Sequence, residues 1–246
     1  MNNNTIVFSC TDKNYMKLAV FWAEFLESLK IYYMIYCVDN ESFQYLKKNK
    51  ISCENIRTSE TYNFKKIDLL RFELIIDLLK TYDSVVYSDL DAIWLKNPLQ
   101  KINYQNCDAN LSTATHIHAC PWRVRDIWGF TFCTGWMQYK RTMRGLISYF
   151  VKNYTSFKGN GQAKFNHFLF SLNHEYNEHT HFNFYFDGSV KYINDLNQSI
   201  ISRRKQEYYL ENNEIDFSSV EHPILGTAHD QMQKIKVIKD IYINDK

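Results

Sequence analysis

The sequence predicts an α/β protein, a single domain built on a mixed, mainly parallel sheet flanked by helices. Three observations lead there. The first hundred residues alternate short apolar runs with segments of helical period, the pattern of βαβ units feeding a parallel sheet. The chain has 246 residues, enough for one sizeable core, and only three Pro and seven Gly, so no Pro- or Gly-rich linker divides it. Finally, an apolar strand at 84–88 runs directly into Asp89 and Asp91, which sets two carboxylates at a strand's carboxyl end, where open α/β sheets bind ligands.

The elements follow in order. Ile6 to Cys10 reads as a strand, and Asn14 to Lys30 as a helix carrying Leu18, Phe21, Trp22, Phe25 and Leu29 at helical spacing. Tyr32 to Val38 is a second strand, Ser42 to Asn49 a second helix, and Ile51 to Arg57 a third strand or edge. Lys65 to Lys80 is a helix whose Ile67, Leu70, Leu74 and Leu78 form one apolar stripe. Beyond Pro98 the expectation is strands near 109–115 and 130–139, helices near 141–153 and 163–172, and strand pieces at 182–186 and 190–193. One domain is expected over 1–246, in two halves of about 1–100 and 101–246.

Composition narrows the function classes. Apolar residues make up 45% and charged residues 23%, which is globular, and a net charge of +2 predicts no polyanionic partner such as nucleic acid. Cysteines 10, 37, 53, 107, 120 and 133 form no CxxC pair, which suits a reduced interior better than a disulfide framework. The N-terminus MNNNTIVFSC lacks a basic, then apolar, leader, and no stretch approaches the roughly 18 apolar residues of a membrane span. A cytoplasmic protein is the expectation, and the sequons at Asn3, Asn110, Asn153 and Asn197 then carry little meaning.

The segment 83–98, DSVVYSDLDAIWLKNP, carries the chemistry. In an extended backbone Asp89 and Asp91 share a face while Leu90 points inward. Such a pair suits a hard cation, Mn²⁺ or Mg²⁺, whose remaining positions are filled by the oxygens of a nucleoside diphosphate. Arg71 falls within the apolar stripe of its helix, where a cation calls for a partner: either it reaches the diphosphate, which suits the guanidinium fork, or it snorkels to solvent or pairs with an acidic side chain. Lys66, at the start of that helix, is a weaker phosphate contact. His116, His118 and Cys120 alternate, yet no fourth ligand completes a structural zinc site. The segment there reads as a loop near the acceptor, with Trp122, Arg123, Arg125 and Trp128.

With Trp94 and Asn97-Pro98, the segment resembles the Asp-x-Asp-x-x-Trp-x-x-x-Pro signature of GT-A nucleotide-sugar glycosyltransferases, above all glycosyltransferase family 77 and more distantly family 8. The resemblance is strong over about 64–98 and moderate at 129–139, where Cys133-Thr134-Gly135-Trp136 stands in the place of Asn-Ser-Gly and an aromatic. It implies that Gly135 and Trp136 approach the donor, with cysteine replacing the asparagine. Gly161-Gln162 and Asn166 resemble the family's Asp-Gln…Asn helix, with glycine replacing the aspartate; Gln162 and Asn166 would line a pocket. His229 fits a late metal-completing histidine, and Lys234 a phosphate contact after it.

The implied function is transfer of a hexose or pentose from a nucleoside diphosphate sugar to an acceptor hydroxyl on a glycan, glycolipid or protein-linked sugar, with retention of anomeric configuration. The resemblance also implies that the first half, about 1–100, binds the nucleotide and the second, about 101–246, the acceptor. No single carboxylate is marked as general base; Asp187 and Asp126 are the residues that could serve as base or nucleophile, beside Gln162. Two alternatives stand: a catalytically weak nucleotide-sugar-binding module, or a phosphatase of haloacid-dehalogenase type with Asp89 as nucleophile. A sugar-1-phosphate nucleotidyltransferase is disfavoured, because Phe8-Ser9-Cys10-Thr11-Asp12 contains no glycine.

Overall fold

The computed structural model describes residues 4–56, 64–94, 97, 99, 107–114, 121–128, 131–175, 183–186, 190–193, 199–203 and 220–221. Two compact units are stitched from interleaved segments: 5–62, 86–102 and 209–246 in one, and 1–4, 63–85 and 103–208 in the other. The chain passes from one unit to the other at 102/103, close to the expected divide, and also at 4/5, 62/63, 85/86 and 208/209.

In the first unit, β1 (Thr5–Thr11), β2 (Tyr33–Cys37) and β3 (Cys53–Asn55) run parallel, with Val7 opposite Tyr33 and Ile35 opposite Cys53. β1 is buried from Ile6 to Thr11, as a strand covered on both faces must be. Helix α1 (Met16–Ser28) buries Leu18, Ala19, Trp22, Ala23, Phe25 and Leu26. It is shorter than its apolar period suggested because Lys30 turns left-handed (φ 55°), which lets the Ile31 N–H donate to the Leu26 carbonyl at 2.9 Å. Lys50 (φ 60°) ends α2 (Asn40–Lys48) likewise. That helix starts earlier than expected because Asp39 caps it, its carboxylate accepting from the Ser42 N–H at 2.7 Å.

In the second unit, α3 (Phe64–Leu78) packs against α5 (Arg144–Lys152) and α6 (Gly161–Glu175). Here the expected stripe is corrected. Ile67, Leu70, Leu74 and Leu78 are only half-buried, whereas Arg71, Phe72, Ile75 and Leu79 face the core. The reason is the aromatic cluster: the Phe72 ring lies 4.9 Å from Phe150 and 5.3 Å from Phe165, which rotates α3 to present that side.

Strand β4 (Ser84–Ser88) matches its expectation and runs from the second unit into the first, where β5 (Ile93–Trp94) also lies. In the second unit β6 (Cys107–Ala114) pairs antiparallel with β7 (Thr131–Lys140) and parallel with β10 (Ser199–Arg203). β8 (Asn183–Phe186) and β9 (Val190–Ile193) continue it antiparallel. The short β11 (Val220–Glu221) pairs with β5 in the first unit. The segment expected as a loop around 122–128 is instead a helix, α4 (Trp122–Trp128), which packs on α6 and β7. Asn110 is buried and bonded to Gln138 at 2.7 Å, so its sequon is inaccessible in the fold.

His167 of α6 has its pKa lowered, first by burial and then by the Arg123 guanidinium of α4. The folded protein therefore favours the neutral imidazole, and the unfolded chain takes up the proton first as pH falls. That contribution is fully present above the ordinary histidine range, about 6.5, and is lost as pH drops through it. His167→Gln should shrink the fall in urea midpoint between about pH 7.5 and 5.5; an equal fall in both proteins would contradict the assignment.

Candidate active site

The aspartate pair sits where β4 stops. Asp89 leaves the strand, and the Ala92 N–H donates to the Asp89 carbonyl at 3.0 Å, closing a tight turn over Leu90 and Asp91. The extended backbone expected there is thus corrected: Asp89 is the first residue of a turn and Asp91 the third, with Leu90 between them inward as expected. Both are half-buried, and Leu90 between them is 7% exposed. The Tyr87 hydroxyl donates to Asp89 Oδ1 at 2.6 Å.

Ser88 anchors this turn. Its hydroxyl accepts from the indole N–H of Trp94 at 2.9 Å and of Trp22 at 3.3 Å, and donates to the Asp89 carbonyl at 3.2 Å. One donor and two acceptor positions are all a serine hydroxyl has, and all are used. Trp94 belongs in the signature because its indole, fully buried, reaches back over the turn to the residue before Asp89.

The second constellation lies in the other unit, on β7. Leu111 stands opposite Met137, but the next residue, Ser112, stands opposite Cys133, so Thr134, Gly135 and Trp136 bulge out of the ladder. All three are buried, and backbone groups taken out of the ladder there need other partners. Side chains from two helices supply them. The Thr134 N–H donates to Gln162 Oε1 at 3.3 Å, and Arg71 Nη1 donates to the Thr134 carbonyl at 3.4 Å. Arg71 Nη2 donates to Thr134 Oγ1 at 3.0 Å and pairs with Asp68 Oδ1 at 3.2 Å. Two residues earlier, Asn166 clasps Phe132, accepting from its N–H at 2.7 Å and donating to its carbonyl at 2.8 Å. The Gly135 N–H donates to Cys133 Sγ at 3.4 Å.

Residues 31–227 match the profile of the nucleotide-diphospho-sugar transferase family. The chain belongs to that family. Among solved structures, this transferase is similar to a glycosyltransferase involved in glycosylating the major capsid of PBCV-1 (10% identity, TM-score 0.52, 95% of this chain and 98% of that one). It is also similar to an active-site mutant of LgtC (12% identity, TM-score 0.52, 91% and 85%). Both likenesses are of fold, and the fold is GT-A. An uncharacterised protein of Arabidopsis thaliana is 24% identical over 126 residues, 42% of this chain and 38% of the relative, so the transferase spans well under half of that protein.

The family sets aside the phosphatase. Of the expected site residues, Arg71, Gln162, Gly135 and Trp136 meet at the bulge, while Asp89 and Asp91 belong to the other unit's turn. Arg71 takes the acidic-partner arrangement that the sequence left open, and Asn166 is bound to backbone, not lining a pocket. Asp126 is on α4, its side chain 67% exposed and 3.8 Å from Arg125. Lys66 is in the first turn of α3, with its side chain outside the described residues. Asp187, His229, Lys234, and the alternating His116, His118 and Cys120 also lie outside them. Sequence reasoning missed Ser88, Tyr87 and Asp68; the indole partners of Ser88 lie 66 positions before it and 6 after it, which no spacing rule connects.

Ser88→Ala should leave two buried indole N–H groups without their acceptor, destabilising by on the order of 2 kcal/mol or more. Urea unfolding with tryptophan fluorescence measures it. A loss under about 0.5 kcal/mol would mean that the turn does not depend on this hydroxyl.

Proposed function

We propose that this transferase moves a hexosyl or pentosyl group from a nucleoside diphosphate sugar to an acceptor hydroxyl of a carbohydrate or glycoconjugate, with Mn²⁺ or Mg²⁺ held by Asp89 and Asp91 and with retention of anomeric configuration. The observation that carries the metal is the turn: it brings two half-buried carboxylates together, its backbone fixed by Ser88 and the Asp89 carboxylate by Tyr87, and carboxylate oxygens are what a hard cation takes. Among the described residues no group of three His, Cys, Asp or Glu side chains gathers; the rest of the shell of an ion on this pair is proposed to come from His229, water and diphosphate oxygens. When bound, the ion supplies positive charge against which a diphosphate can leave.

The chain's own residues divide the remaining work. Tyr87 fixes one oxygen of Asp89. The bulge carries Gly135, where a ligand can come close to backbone, beside Trp136 and the Thr134 amide held by Gln162. Gln162 is proposed to act on the donor sugar, and Asp187 and Asp126 remain the carboxylates for base or nucleophile chemistry. His229 is proposed as a third metal ligand; Lys234, and more weakly Arg71 and Lys66, as phosphate contacts. No described helix is long and apolar enough to cross a membrane. An inert nucleotide-sugar binder is the other reading, suggested by Cys133 in place of the asparagine.

A panel of nucleotide sugars with Mn²⁺, and again with EDTA, tests the proposal. Metal-dependent hydrolysis or transfer of one donor is expected, abolished by EDTA and reduced at least 100-fold in Asp91→Asn, with the product anomer matching the donor by proton NMR. Equal nucleotide-diphosphate affinity in EDTA would remove the metal, an inverted product would remove retention, and binding without turnover would leave the inert binder.

A further inference from the structure

Position 161 is a glycine because something else is already there. A Cβ built on Gly161 would lie 2.6 Å from Asp68 Cγ, 2.8 Å from Asp68 Cβ and 2.9 Å from Arg71 Nη2. Such separations are too short for any side chain to coexist with the carboxylate as placed. Asp68 comes from α3, 93 positions earlier, yet its Oδ2 accepts the Gly161 N–H at 3.0 Å. It thereby supplies the acceptor and negative charge that an acidic residue at the start of α6 would itself provide. Asn160 caps the same helix, its Oδ1 accepting from the Ala163 N–H at 2.9 Å. The other oxygen of Asp68 pairs with Arg71, whose guanidinium is bonded to the bulge at Thr134.

We infer that positions 68 and 161 share one place for a single carboxylate, and that Asp68, filling it from α3, is a positioning residue that sets Arg71 and the Gln162 end of α6 against the Thr134 bulge. The inference rests on the proposed donor-site role of Gln162. It makes Asp68 the residue that replaces the missing acidic side chain at 161, so the glycine there does not by itself mark a dead enzyme. Geometry restricts the arrangement further: Asp68 and Arg71 are three apart on one helix and are 18% and 6% exposed, so the pair is largely withdrawn from competing water.

The test is a carboxylate swap in the full chain: Asp68→Gly, Gly161→Asp, the double variant, and Asp68→Asn as the conservative change. Melting temperature and the steady-state constants for metal-dependent donor hydrolysis are measured for each, with nucleoside diphosphate affinity measured separately. Each single swap variant should melt lower than wild type, and the double variant should recover most of the loss. Asp68→Asn should lower kcat at least tenfold while nucleoside diphosphate affinity changes less than twofold, and the double variant should regain kcat. Additive losses in the double variant would overturn the shared place, and an unchanged kcat in Asp68→Asn would overturn the positioning role. If wild-type protein hydrolyses no nucleotide sugar, the proposed function and this positioning role fall together, while the melting cycle still decides the shared place.

Discussion

The peptide group of Thr134 sets the terms for much of the structure around it. Once 134–136 leave the β6–β7 ladder, β6 no longer offers partners to the buried amide and carbonyl of Thr134. A buried backbone group without a hydrogen bond costs on the order of 1–3 kcal/mol, so the bulge persists only where side chains are aimed at it. Gln162 and Arg71 are those side chains. A guanidinium at 5% exposure in turn requires a counter-charge, which Asp68 provides. The carboxylate then requires room, which only the glycine at 161 leaves. Five residues from three elements are thus linked by successive demands of one strand irregularity.

The aspartate turn is organised on the same principle in its own unit. A backbone leaving a strand is fixed by a hydroxyl whose hydrogen-bonding capacity is exhausted by two indoles and a carbonyl. Neither constellation depends on an exposed ion pair, where hydration and salt would dilute the interaction. Each uses buried, saturated polar groups to hold a small number of functional atoms, which is how a rigid site is obtained without many ligands.

Much of this was legible in advance, and the parts that were not share a cause. Strand periodicity located β4 to the residue, and the spacing of Asp89, Asp91 and Trp94 pointed to nucleotide-sugar chemistry. The helix stripe on α3 was misread because Phe72 and its aromatic partners, 78 and 93 positions later, decide which side faces inward. Helix α4, expected as a loop, shows little period because among its described side chains Val124 is the buried one. The dependence of Gly161 on Asp68, and of Trp94 on Ser88, is invisible to spacing rules, since each joins residues through space without a shared helical or strand period. Departures from the family pattern at Cys133 and Gly161 looked like losses in one dimension; the second is filled from another helix.

Amide hydrogen exchange at Thr134 tests the central dependence most directly, because it reads that one N–H. The account predicts that the Thr134 amide is protected in wild-type protein and loses that protection in Gln162→Met, which keeps side-chain bulk but not the acceptor, while the Phe132 amide, held by Asn166, stays protected in both. A Thr134 amide that exchanges freely in the wild type, or one that remains protected without the Gln162 acceptor, would contradict it.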